Sequence, residues 1–108
     1  MARYLIIESR DLQEYMRGDY ILGLAEGLKK KGNDVTLFLV ENGALAARKG
    51  AKAGETLGKI SRQGITVLAE DIALQSRGIT QLADGVAKSN MDHLADLIAQ
   101  GTDKVVWY

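Results

Sequence analysis

The sequence predicts an α/β protein with a parallel sheet and helices on both faces. Three observations carry that expectation. Val35 to Val40 is an apolar run broken only by Thr36, short and rich in Val, Leu and Phe, which is how a strand buried on both faces reads. Other short apolar runs, Tyr4–Ile7, Ile65–Ala69 and Lys104–Tyr108, are separated by stretches with a three-to-four-residue apolar period. Such alternation of strand and helix implies right-handed crossovers between parallel strands.

Taken in order, Tyr4–Ile7 is the first expected strand and ends at Glu8-Ser9-Arg10. A helix is expected over Asp11–Lys31, where Leu12, Tyr15, Met16, Tyr20, Leu24 and Leu28 share one face and Ile21 and Ala25 widen it. Lys29-Lys30-Lys31 followed by Gly32 is a helix exit, with cations at the negative end of the dipole. Gly23 and Gly27 lie four apart on this helix and are read as close packing on the sheet, or else as a contact between subunits. After the second strand, Glu41-Asn42-Gly43 turns the chain into a short helix over Ala44–Lys49. A loop over Gly50–Gly54 leads into a helix over Glu55–Gln63, with Leu57 and Ile60 inward and Gly64 as its stop. The third strand, Ile65–Ala69, ends at Glu70-Asp71 and is followed by a short helix, Ile72–Arg77, stopped by Gly78. Thr80–Asp84 reads as one further turn, and Val86-Ala87 as a short fourth strand. Ser89 or Asn90 is expected to cap a helix over Met91–Gln100, with Asp92 completing an approximate capping box and Met91, Leu94, Ala95, Leu97 and Ile98 as the apolar stripe. The fifth strand closes on Trp107 and Tyr108, which would cover the sheet rim or dock on a neighbouring subunit.

At 108 residues the chain is expected to form one domain, residues 1–108. Fourteen basic and fourteen acidic residues cancel, so electrostatics give no reason to expect nucleic acid or an anionic membrane as partner. No apolar run approaches the ~20 residues of a membrane span, and MARYLIIESR is too short in its apolar part for a signal peptide, so the expected compartment is the cytoplasm. The absence of cysteine excludes disulfides, thiolate metal sites and a cysteine nucleophile.

In a parallel sheet the carboxyl ends of the strands share one edge, and small-molecule chemistry sits there. Glu8, Glu41 and Glu70 each stand at such an end, with Asp71 beside the last and Arg10, Arg48 and Arg77 as the nearest cations in sequence. One reading is an acid/base or metal site, because clustered carboxylates raise one another's pKa. The other is a water-facing rim neutralised by ion pairs. Asn42-Gly43 could present backbone amides to an anion, or be an ordinary strand-to-helix turn. His93, the single histidine, is expected on the last helix away from the strand ends, and with no second histidine or cysteine a metal site is not expected. The chain has no GxGxxG after the first strand, no GxxxxGK[ST] and no serine in a G-x-S-x-G elbow, so neither standard nucleotide binding nor a hydrolase elbow is indicated, and no cofactor is expected.

FLVENGALAARKG, GITVLAEDIALQSRGI and DGVAKSNMDHLADLIAQGTDKVVWY, in this order and spacing, resemble the DsrE/DsrF-like family of small sulfur-relay proteins. The resemblance covers essentially the whole chain. It implies a three-layer α/β/α fold with a five-stranded, mostly parallel sheet, a relative of flavodoxin-like folds. It also implies a homo-oligomer, trimer or hexamer, or a hetero-oligomer with related subunits. In catalytic members such as DsrE and TusD, a cysteine after the third strand accepts sulfur as a persulfide. Spacing back from Arg77-Gly78 puts that place at Glu70 or Asp71. Neither side chain can form a persulfide, and a methionine thioether has no thiolate. The expected role is therefore a non-catalytic subunit or scaffold in sulfur trafficking. The alternative is an enzyme or small-anion sensor using the rim formed by Glu8, Glu41, Asn42, Gly43, Glu70, Asp71 and Arg77.

Overall fold

The computed structural model describes residues 1–13 and 18–108. Five strands form one sheet: β1 (Arg3–Glu8), β2 (Asp34–Leu39), β3 (Thr66–Glu70), β4 (Val86–Ser89) and β5 (Lys104–Trp107). Their order is β4-β3-β2-β1-β5 and every pairing is parallel. The chain steps outward from β1 to β4, then crosses the whole sheet to add β5 on the far side of β1. That reversal decides where the helices lie, because right-handed crossovers in opposite directions fall on opposite faces.

One face carries α1 (Gly18–Lys30), a 3-10 turn over Glu41–Ala47, α2 (Gly54–Arg62) and α3 (Asp71–Ser76). The larger core lies there: Ile6, Leu37, Leu39, Val67 and Ala69 from the strands meet Ile21, Ala25, Ala44, Leu57, Ile60 and Leu74 from the helices. The other face carries only α4 (Met91–Asp96) and the π-helical turn Leu97–Gly101 that continues it. There Leu5, Ile7, Phe38, Val40 and Leu68 pack under Leu94, with Leu97 at the margin. The even and odd residues of β1 and β2 therefore serve two separate cores, as the double-sided apolar run of β2 implies. The result is a three-layer α/β/α arrangement with unequal outer layers.

Several local expectations are corrected. The first helix is described from Gly18 to Lys30, while Asp11–Gln13 form a turn in which Gln13 N–H donates to Asp11 Oδ1 at 3.0 Å. Tyr15 and Met16 lie outside the described residues. Tyr20 is not on the buried stripe; it is more than half exposed, its ring 6.1 Å from that of Tyr108. Gly23 and Gly27 do not pack on the sheet, for both are exposed and a Cβ built on either meets nothing within 4 Å. The buried face of α1 is set instead by Ile21, Leu22 and Ala25.

The expected helix Ala44–Lys49 is a tighter 3-10 turn that starts at Glu41. The turn expected over Thr80–Asp84 is displaced: Leu82 makes an isolated antiparallel bridge with Arg48, and the chain turns at Asp84-Gly85, where Val86 N–H donates to Ala83 O at 3.2 Å. Asn90, not Ser89, caps α4: its Oδ1 accepts from His93 N–H at 2.8 Å, so Asp92 stands one position short of a capping box. Of the expected α4 stripe only Leu94 is buried, while Met91 and Ile98 are nearly half exposed.

Candidate functional site

The register brings the ends of β1, β2 and β3 to one edge, with Glu8 beside Leu39 and Leu39 beside Ala69. On the next strand Glu70 stands beside Ser89. Glu8, Glu41 and Glu70 thus share the carboxyl edge, but their side chains part. Glu8 follows Ile6 onto the α1/α2 face, and Glu70 follows Leu68 onto the α4 face before its carboxylate curls over the start of α3. No three carboxylate or imidazole side chains among the described residues are grouped so as to hold a metal ion.

Each rim residue has its own partners. Glu8 is only 1% exposed. Its Oε1 accepts the Arg10 backbone N–H at 3.0 Å, while its Oε2 has no hydrogen-bond partner. Burial pushes its pKa up, and the Arg10 N–H and guanidinium charge pull it partly back. Glu70, also buried, caps α3 by accepting from Ile72 N–H at 2.6 Å and Ala73 N–H at 3.0 Å. Asp71 Oδ1 shares the Ile72 N–H at 2.8 Å. Asn42 Oδ1 accepts from Arg77 Nε at 3.2 Å and Nη2 at 2.9 Å, and Arg77 Nη1 donates to Ala73 O at 3.1 Å. Arg77 thereby ties the 3-10 turn after β2 to α3.

Glu41 has the left-handed backbone that L side chains rarely adopt, φ 49°. Two residues on, Gly43 passes so close to β1 that a Cβ there would sit 2.2 Å from the Glu8 carbonyl oxygen. The Gly43 N–H donates to Val40 O at 2.8 Å. It is therefore unavailable to an anion, and Asn42 Oδ1 is held by Arg77. Of the two readings of the Asn42-Gly43 dipeptide, these contacts favour the strand-to-helix turn, since the Gly43 amide is already engaged within it.

His93 is also repositioned. It lies close to a strand end, because β4 runs to Ser89 and α4 starts two residues later. Ser89 Oγ and His93 Nδ1 are 2.7 Å apart, and the imidazole meets Phe38 edge-on at 6.2 Å. Sequence reading missed this pair because β4 is too short and polar to reveal where it ends.

The DsrE/DsrF-like family model matches residues 2–108. The chain belongs to the DsrE/DsrF-like family. Solved DsrE-like folds superpose on it end to end. The ychN protein from E. coli, at 23% identity, gives a TM-score of 0.86 with 100% of both chains covered. The protein of unknown function MTH1491 from Methanobacterium thermoautotrophicum, at 15% identity, gives 0.86 with 100% of both covered. The conserved protein of unknown function BT1422 from Bacteroides thetaiotaomicron, at 15% identity, gives 0.78 over 97% of this chain and 94% of that one. No curated protein matches significantly. The chain itself contains no cysteine.

Proposed function

We propose that this DsrE-like protein is a non-catalytic subunit of cytoplasmic sulfur trafficking, a binding partner or scaffold that does not itself carry sulfur. The observation that supports this reading most is at the start of α3. The resemblance puts the sulfur-accepting cysteine at Glu70 or Asp71; Glu70 is buried with its carboxylate committed to the Ile72 and Ala73 amides, and Asp71 Oδ1 accepts from the same Ile72 amide. A group so held caps a helix and is no sulfur acceptor.

Assembly through the thinly covered face accompanies this role. Val105 and Trp107 stand in register with Leu5 and Ile7, on the α4 side of the edge strand. Trp107 is 66% exposed, and Ile98 and Met91 on the adjoining helix are nearly half exposed. Large apolar side chains gathered on one face of a net-neutral chain suit burial against a second copy of the same fold.

Light scattering on the purified protein, alone and mixed with a cysteine-bearing DsrE-like subunit, tests the reading. A self-assembled oligomer that Trp107→Lys breaks is expected, together with no transfer of labelled sulfur by the protein alone. Transfer of sulfane sulfur from thiosulfate to an acceptor by this chain by itself would refute it.

A further inference from the structure

The chain is neutral overall, yet its charge is not evenly spread. Arg48, Lys49, Lys52, Lys59 and Arg62 fall within fifteen residues that hold a single carboxylate, Glu55. The fold turns this run into a groove of about 890 Å³ along α2 and the segment around Ala83 and Asp84. Lys49, Lys52, Lys59 and Arg62 line it, against Glu55 and Asp84. None of the four cations is in an ion pair among the described residues.

The groove is built by main-chain contacts. Lys49 N–H donates to Gln81 O at 2.9 Å and Ala83 N–H to Ala47 O at 2.8 Å, so the far wall is fixed to the loop that carries Lys49. On α2, Gly54 and Gly58 leave no side chain between helix and wall; a Cβ on Gly54 would lie 3.1 Å from Ala83 Cβ, and one on Gly58 3.3 Å from the Asp84 carbonyl. From Gly54 to Arg62 the helix runs about 12 Å at ~1.5 Å per residue, so cations stand at both ends of the groove.

We infer that this groove binds a compact polyphosphate, meaning a di- or triphosphate group, whether free or on a small organic ester. Cations spread along about 12 Å exceed what one singly charged anion can engage, while a chain of phosphoryl groups meets them in succession. Lysine ammonium groups, as mobile point charges, suit phosphate oxygens of varied geometry. Glu55 and Asp84 leave the lining with a net surplus of two positive charges, so the ligand must carry at least two negative ones. The site has none of the glycine-loop geometry of the standard nucleotide folds; recognition is of charge along a groove. It is independent of the sulfur-trafficking reading.

The test is isothermal titration with inorganic tripolyphosphate in low-salt buffer. Binding is expected, with loss on raising salt to about 0.15 M as screening shortens to ~8 Å. The double variant Lys52→Gln/Lys59→Gln should bind about tenfold more weakly, roughly threefold for each exposed cation removed. The double variant Lys30→Gln/Lys31→Gln, which removes the same charge at the end of α1, should bind within about twofold of the wild type. Glu55→Gln should tighten binding. The four substituted lysines are exposed, so the variants remain folded, and circular dichroism checks that they do. Equal weakening by both lysine pairs would mean a diffuse field and no site. Absence of binding to the wild type, or tighter binding of a short single-stranded RNA than of tripolyphosphate, would equally overturn the proposal.

Discussion

Gly43→Ala should be the most damaging single-methyl addition in this protein. A Cβ at this position would stand 2.2 Å from the Glu8 carbonyl oxygen and 3.1 Å from its carbon. Both are backbone atoms of β1, an interior strand of the sheet, and no rotamer change relieves the contact. Reaching even a 3.0 Å separation, a limit that real Cβ atoms essentially never cross, means moving the 3-10 turn and β1 apart by most of an ångström. The same Glu8 oxygen accepts the Val40 N–H at 3.0 Å, so that bond is stretched by the same movement. Ala44, Ala46 and Ala47, which follow Gly43 into the core, are displaced with it. Overpacking of this kind costs about 1–3 kcal/mol and a weakened hydrogen bond about 0.5–1.5 kcal/mol more, so the expected loss is about 2–4 kcal/mol. In a domain of this size that is roughly 10–20 °C in Tm. Urea unfolding monitored by circular dichroism measures it. A Gly43→Ala protein within about 0.5 kcal/mol of wild type, with an unchanged denaturant slope, would show that the turn is not held against β1 as described.

Three further outcomes are expected. Gly23→Ala and Gly27→Ala, on an exposed helix face with open space around both positions, should each stabilise the protein by about 0.5–1 kcal/mol through helix propensity; a loss of stability would mean that these glycines are covered. Because burial raises the folded-state pKa of Glu8 above the ordinary carboxyl value of 4.5, the folded state holds its proton longer than the unfolded one, and stability falls as pH rises through the interval between the two values. Glu8→Gln should remove that fall and be the more stable protein at neutral pH; identical pH profiles for the two proteins would rule out Glu8 as its source. For Arg77 and Asn42, a double-mutant cycle to alanine should give a coupling of about 1 kcal/mol, since the hydrogen bonds are charge-assisted but partly exposed; strict additivity would show that the link between the 3-10 turn and α3 contributes nothing.

What could be read in the sequence divides along physical lines. The strands were legible because Val35–Val40 and Ile65–Ala69 are buried on both faces, and a continuous apolar run states that directly. Glu70 and Asn42 were found as rim residues, since their place follows from strand ends alone. Their partners were not legible. Arg77 lies thirty-five positions from Asn42, and only the packing of α3 beside the 3-10 turn brings them together. Packing of Gly23 and Gly27 on the sheet was not legible either way, because a four-residue glycine spacing says which residues share a helix face, not which face is inward. The groove beside α2 had a signal in the run of cations over residues 48–62. What turns that run into a concave surface is the Arg48–Leu82 bridge, a pairing between two segments with no strand-like pattern.

On the reading proposed above, Glu70 and a sulfur-accepting thiol at the same place answer to one local field. The first amides of α3 point at whatever follows β3, and they favour negative charge there. A cysteine in that field would be biased toward thiolate, the form that attacks sulfane sulfur. Glu70 meets the same amides with a carboxylate, gaining two hydrogen bonds and giving up nucleophilicity. On that proposal, a carboxylate at this point keeps what the fold needs, an anion that starts α3, without the chemistry of a thiolate. The chain has no cysteine and still superposes over its whole length on the ychN protein. If that proposal holds, what such a chain contributes must come from its surfaces rather than from a reactive group, and the exposed Val105 and Trp107 beside α4 are where the assembly experiment probes it.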